Sequence, residues 1–161
     1  LTHFRGRIQV SWRPLFNFER RKLIMLKKTI KYVDYNDNAR EDTFYFNMNK
    51  AELIRFEMNL PGGIEKTVKK ALAEEDNATL FNLFEQLIQK SYGKKTVDGG
   101  FAKSTEAATE FSQTEAYSEL LMEFMTDPTG KKFADFFRGI MPKDYANELP
   151  EDLTSVISKG N

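Results

Sequence analysis

The chain contains no cysteine and one histidine, His3. The first absence excludes disulfides, thiolate metal sites and cysteine nucleophiles. The second excludes multi-histidine metal sites and leaves Ser112 and Ser118 without a histidine partner other than His3, so Ser–His catalysis has no basis. No apolar run approaches the roughly 18–20 residues that span a bilayer. Neither sign of charge is in excess, since 24 Lys/Arg balance 24 Asp/Glu. Complete nucleotide-binding motifs are also missing. Gly93-Lys94-Lys95-Thr96 would need a glycine where Ile88 stands, and Gly130-Lys131 one where Met125 stands. Gly62-Gly63 lacks the third glycine and preceding strand of a dinucleotide fingerprint. Asp34, Asp37, Glu41 and Asp42 do not have calcium-loop spacing and read as a solvated turn. No catalytic, cofactor-binding or metal-binding residue is assigned, and an enzyme is the least favoured class.

What is present suits one folded domain. The 161 residues are 40% hydrophobic, and 14 phenylalanines supply material for a core. The neutral total hides an asymmetry. Residues 1–24 carry six Lys/Arg (Arg5, Arg7, Arg13, Arg20, Arg21, Lys22) against Glu19, net +5, so the remainder is net −5. A mildly acidic body gives no electrostatic reason to expect nucleic-acid binding. Residues 1–24 have no clean helical or strand period and no signal-peptide core. Glu19-Arg20-Arg21 is encodable as GAA AGG AGG a short distance before an ATG for Met25, the pattern of a bacterial ribosome-binding site. The segment is therefore read as translated leader or a disordered basic extension, with residues 25–142 as the domain and 143–161 as a flexible tail.

Within the domain, Lys27 to Asp34 and Glu41 to Asn47 alternate apolar and polar residues around the turn formers Asn36-Asp37-Asn38, which predicts a β-hairpin. Asn49 with Glu52 predicts a capping box for a helix carrying Leu53 and Phe56, ended by Pro61-Gly62-Gly63. Further helices are expected over 64–73, with Lys66, Lys69 and Lys70 on a solvated face, and over 78–92 with Leu80, Phe84, Leu87 and Ile88 inward. Residues 93–104 read as a mobile loop. A short helix from Ser104 leads to a helix over 112–125, capped by Ser112 with Glu115 closing a box. Asp127-Pro128 opens the last helix, with Phe133, Phe136, Phe137 and Ile140 apolar, and Pro142 closes it. The expected fold is α+β and predominantly α-helical, a β-hairpin followed by about five or six helices. The tail is only weakly amphipathic; Leu153, Val156 and Ile157 have helical spacing, but disorder or partner-dependent folding is expected there.

Glu110, Glu115, Glu119 and Glu123 recur along one helix and read as a solvated face. Tyr117, Leu121, Phe124 and Met125 form a stripe read chiefly as core, part of which can accept a partner's helix.

Three segments, in order, carry a resemblance: TFYFNMNKAEL after the hairpin, LFEQLIQKSYGKKTVDGGFAKS, and EFSQTEAYSELLMEFMTDPTGKKFADFFRGIMP. Together they resemble the tail assembly chaperones of long-tailed (siphophage-type) bacteriophages and prophages of Gram-positive bacteria. Phe111, Gln113, Thr114, Glu115, Tyr117 and Leu120 carry the centre of the match. The resemblance implies a small, helical, non-enzymatic protein without cofactors, in the cytoplasm of the bacterial host and absent from the mature virion. Its implied partners are the tape measure protein and the major tail protein, with self-association open, and neither nucleic acid nor membrane among them. It also implies a longer frameshifted product in many relatives, and Ser158-Lys159-Gly160 is encodable with a slippery heptamer. The candidate partner-binding residues are Phe111, Tyr117, Leu121, Met122, Phe124 and Met125. The rival classes are a DNA-binding or transcription-regulating phage protein and a structural tail component.

Overall fold

The computed structural model describes residues 25–142. The chain runs β1 (Leu26–Val33), β2 (Ala39–Phe46), α1 (Lys50–Asn59), α2 (Gly63–Ala73), α3 (Asn77–Ser91), β3 (Tyr92–Lys95), β4 (Phe101–Ala102), α4 (Thr105–Ser112), α5 (Glu115–Thr126) and α6 (Lys131–Ile140). This is an α+β fold dominated by helices, with the expected hairpin at its start. The proposed leader at 1–24 and the tail at 143–161 lie outside the described residues.

The hairpin pairs Leu26 with Phe46 and Val33 with Ala39. Cross-strand partners share a sheet face, so Leu26, Ile30 and Tyr32 lie on one face with Phe44 and Phe46. That face meets the helices, and Ile30 and Phe46 are buried. The opposite face carries Thr29 and Thr43, whose hydroxyls bond each other at 2.9 Å. Asp34 closes the turn by accepting from the N–H groups of Asn36 and Asn38. Asp37 takes the left-handed conformation there, φ 61°, which aspartate tolerates.

Residues 93–104 are not a loop. β3 pairs with β2 through Phe46↔Tyr92, and β4 returns antiparallel to β3, giving a four-stranded sheet in the order β1-β2-β3-β4. Gly93 makes this possible. A Cβ there would stand 2.5 Å from Phe101 Cζ and 2.9 Å from the Ala102 carbonyl oxygen. The hairpin tip is tied by Thr96, whose N–H donates to Gly100 O and whose hydroxyl accepts from Gly100 N–H.

The helix boundaries follow local hydrogen bonding. Asn49 and Glu52 form the expected capping box on α1. Gly62 caps α2 in the left-handed conformation, φ 81°, so the Pro61-Gly62-Gly63 break also restarts the chain. Asp76 caps α3 by accepting from Thr79 N–H. Ser112 does not cap α5. It is the last residue of α4, and its hydroxyl donates back to Thr109 O. Thr114 is the cap, accepting from Tyr117 N–H and donating to Phe111 O. Glu115 is therefore the first residue of α5, two residues too early to close a box. The last helix starts at Lys131 rather than Pro128, with Gly130 left-handed before it. Asp127 still serves its N-terminus from a distance, accepting from Lys132 N–H at 2.9 Å.

One apolar core joins sheet and helices. Aromatic rings run through it without a break: Phe44 to Phe111 (centroids 4.9 Å), Phe111 to Phe46 (5.9 Å), Phe46 to Phe136 (5.2 Å), Phe136 to Phe124 (5.0 Å), Phe124 to Phe133 (5.6 Å) and Phe133 to Phe84 (4.2 Å). Tilted and edge-on ring pairs of this kind add about 0.5–1.5 kcal/mol each beyond the area they bury. Among the described residues, no buried side-chain polar atom lacks a hydrogen-bond partner.

Candidate functional site

The six candidate partner-binding residues divide by depth. Phe111, Tyr117, Leu121 and Phe124 are buried in the core, Met125 is half-buried against it, and Met122 is 54% exposed. Tyr117 is anchored at its polar end, since its hydroxyl donates to Glu85 Oε1 at 2.9 Å. Burial first, and the Glu85 bond second, push that phenol well above its ordinary value. Phe111 stacks on Tyr92 with centroids 4.3 Å apart and planes 10° apart. Phe111 and Tyr117 hold α4 and α5 to α3 and the sheet.

A groove opens where the core reaches the surface. It has a volume of about 200 Å³ and lies between α2, α3 and the α5–α6 turn. Leu72, Leu80 and Met125 form its partly buried lips, with Phe84, Phe124 and Phe133 at its base. Asp127 and Pro128 border one end. Its geometry follows from the sequence. Leu72 ends the apolar stripe of α2, Leu80 begins that of α3, and Met125 ends that of α5, so three stripes run out together. Phe124 and Met125 thus link the candidate set to the groove, whereas Met122, three residues back on α5, faces solvent beside it.

The acidic row on α4 and α5 is less uniform than a solvated face. Glu123 pairs with Lys28 at 2.9 Å, both about one-quarter exposed, and ties α5 to β1. Glu110 pairs with Lys94 at 3.2 Å on the surface. Among the described residues no three His, Cys, Asp or Glu side chains converge as a metal site, and no helix is long and apolar enough to cross a membrane. The Asn49–Glu52 capping box, the hairpin and the aromatic core residues were legible from local pattern, whereas the cap of α5 was not. Leu72 and Leu80 were legible as apolar, but their role as groove lips depends on three helix ends meeting.

A family model described as phage tail assembly chaperone matches residues 25–158. The chain belongs to the phage tail assembly chaperone family. The match takes in every described residue, so the sealed aromatic junction and the groove both fall within the family's domain. No curated protein and no solved structure matches the chain.

Proposed function

We propose that this phage tail assembly chaperone binds the tape measure protein, keeps it soluble before the tail tube encloses it, and helps to recruit the major tail protein. The observation that carries the site is the groove lipped by Leu72, Leu80 and Met125. A long helical protein exposes apolar helix faces until its surroundings are assembled, and exposed faces of that kind aggregate. A groove lipped by partly buried apolar side chains takes the apolar face of such a helix, and an unbranched methionine at its lip adapts to successive sequences. The role is one of binding rather than catalysis. It places the protein in the cytoplasm of the bacterial host and outside the finished virion.

The test is co-expression of the full chain with the tape measure protein encoded by the same phage or prophage. Soluble tape measure protein should rise and co-purify with the chaperone. Leu72→Gln with Met125→Gln should reduce both while leaving the chaperone folded. Equal recovery of soluble tape measure protein with and without the chaperone would sink the assignment. Full activity of the double variant would remove the groove from it. Recovery of the chain from purified particles would favour a structural tail component instead.

A further inference from the structure

The groove between α2, α3 and the α5–α6 turn has room for one large side chain and no more. Its volume is about 200 Å³. A cavity of about 150 Å³ lined by Leu, Ile and Phe accepts one benzene ring, so this one holds a single ring with its linking methylene. An apolar stripe on a helix extends further than that. Residues i and i+7 stand about 10 Å apart along the axis, so the stripe lies across the rim while one side chain enters.

The walls select the kind of side chain. The floor is aromatic and its rings touch. Phe84 lies 4.2 Å from Phe133 and 5.9 Å from Phe124, and Phe124 lies 5.6 Å from Phe133, between centroids. Phe124 meets the other two edge-on, with 73° and 77° between the planes. Rings set edge-on to one another offer a guest ring both a π-face and a ring edge. Met125 on the lip adds a thioether, which makes favourable contacts with aromatic rings that an aliphatic guest does not share. Among the described residues, the polar side chains of the wall are Asn77 and Asp127. Asp127 is already engaged, accepting from the Thr129 N–H and hydroxyl and from Lys132 N–H.

We propose that the groove takes one aromatic side chain, a phenylalanine or tryptophan projecting from the apolar face of the partner's helix. The ring sits on Phe84, Phe124 and Phe133 under the lips Leu72, Leu80 and Met125, and the rest of the partner's stripe lies along the rim. This rests on the reading of the groove as the helix-binding site and adds what the groove recognises. The chaperone then reads aromatic positions in its partner rather than apolar character in general.

The test uses the full chain with its methionine methyls labelled with ¹³C. There are six methionines, and Met125→Leu identifies the Met125 signal by its loss. The probes are soluble alanine-rich helical peptides identical except for one central guest, Trp, Phe, Leu or Ala. The Trp and Phe peptides should shift the Met125 methyl upfield through the ring current of the guest, and should bind about three- to tenfold more tightly than the Leu peptide. The Ala peptide should bind most weakly. A Leu peptide that binds as tightly as the Phe peptide would overturn the proposal, as would a Met125 signal unmoved by every peptide at millimolar concentration. A Met125 signal that moves with protein concentration alone would also overturn it and give the groove to a second copy. The series contains no tape measure protein, so its outcome is separate from that of co-expression. A preference for aromatic guests without tape measure binding would drop the tape measure assignment and keep the aromatic site. Tape measure binding without the preference would do the reverse.

Discussion

Helix α5 passes through two regions that differ in how completely they are covered. Its first half, from Tyr117 to Leu121, lies against α4, α3 and the sheet, where Phe111 and Tyr92 stack and Leu120 has no exposed surface. Its last turn, from Phe124 to Thr126, ends at the groove, where Met125 shares the lip with Leu72 and Leu80. The distinctive residues Phe111, Thr114, Tyr117 and Leu120 sit in the first region. Phe111, Tyr117 and Leu120 are buried there, and Thr114 bridges α4 to α5. A sequence signature can therefore name a family through the residues that build its fold, while the lip of the groove is made of commoner apolar residues.

The comparison breaks most clearly if the two regions respond alike to truncation. Phe46→Ala and Phe111→Ala each remove a fully or almost fully buried ring that touches several others. Each should destabilise by about 3–5 kcal/mol, read as a fall in the urea midpoint with unchanged slope. Neither should alter tape measure binding by chaperone that remains folded. At the groove the order reverses. Leu72→Gln with Met125→Gln should weaken tape measure binding about tenfold or more, equivalent to about 1.4 kcal/mol. The accompanying loss of stability should stay near 1–2 kcal/mol, because both side chains are only partly buried. Binding lost in a folded Phe111→Ala variant, with binding kept in the groove variant, would place the partner surface on the wrong region.

Local chemistry sharpens the same division at the α4–α5 junction. Thr114→Ala should cost about 1 kcal/mol, since it removes the cap of α5 and the bond to Phe111 O together. Ser112→Ala should cost at most about 0.5 kcal/mol, because an exposed hydroxyl that bonds back into its own helix adds little. Thermal unfolding of the two variants decides between Thr114 and Ser112 as the cap, and equal shifts would contradict the hydrogen bonding seen.

What sequence alone could reach follows the same physics. Patterns set by neighbours within a few residues were readable: the capping box of Asn49 and Glu52, the hairpin alternation of Ile30, Tyr32, Phe44 and Phe46, and the apolar stripe of α6. Ser112 and Thr114 both suit a cap, and the choice rests on where α4 ends, which is decided by Gln113 N–H bonding back to Glu110. β3 and β4 were unreadable because Gly93, Lys94 and Lys95 do not alternate. Those strands exist because Tyr92 pairs with Phe46, far away in sequence, and Gly93 admits the Phe101 ring. The groove was unreadable for the same reason, since no single segment contains it.

The smallest expected effect concerns acid, and it separates the regions by charge. Three aspartates lie at turns and helix starts: Asp34 in the hairpin turn, Asp76 before α3 and Asp127 at the groove. All three are held below the ordinary carboxylate range. The main cause is the Asn38 N–H for Asp34, the Thr79 hydroxyl for Asp76 and the Lys132 N–H for Asp127. A carboxylate with a lowered folded pKa contributes stability that is complete above its unfolded value, about 3.9, and is lost as pH falls through the folded one. Acid should therefore loosen the groove border before the aromatic junction. As pH falls below about 4, protection from amide exchange, taken relative to the intrinsic rate at each pH, should fall at Thr129 and Lys132, the N–H groups held by Asp127, earlier than at Leu120. Asp127→Asn should flatten this response at α6 and leave the response of the hairpin turn in place, because Asp34 has its own donors. An unaltered acid response at α6 in Asp127→Asn would show that the carboxylate does not hold the groove's border.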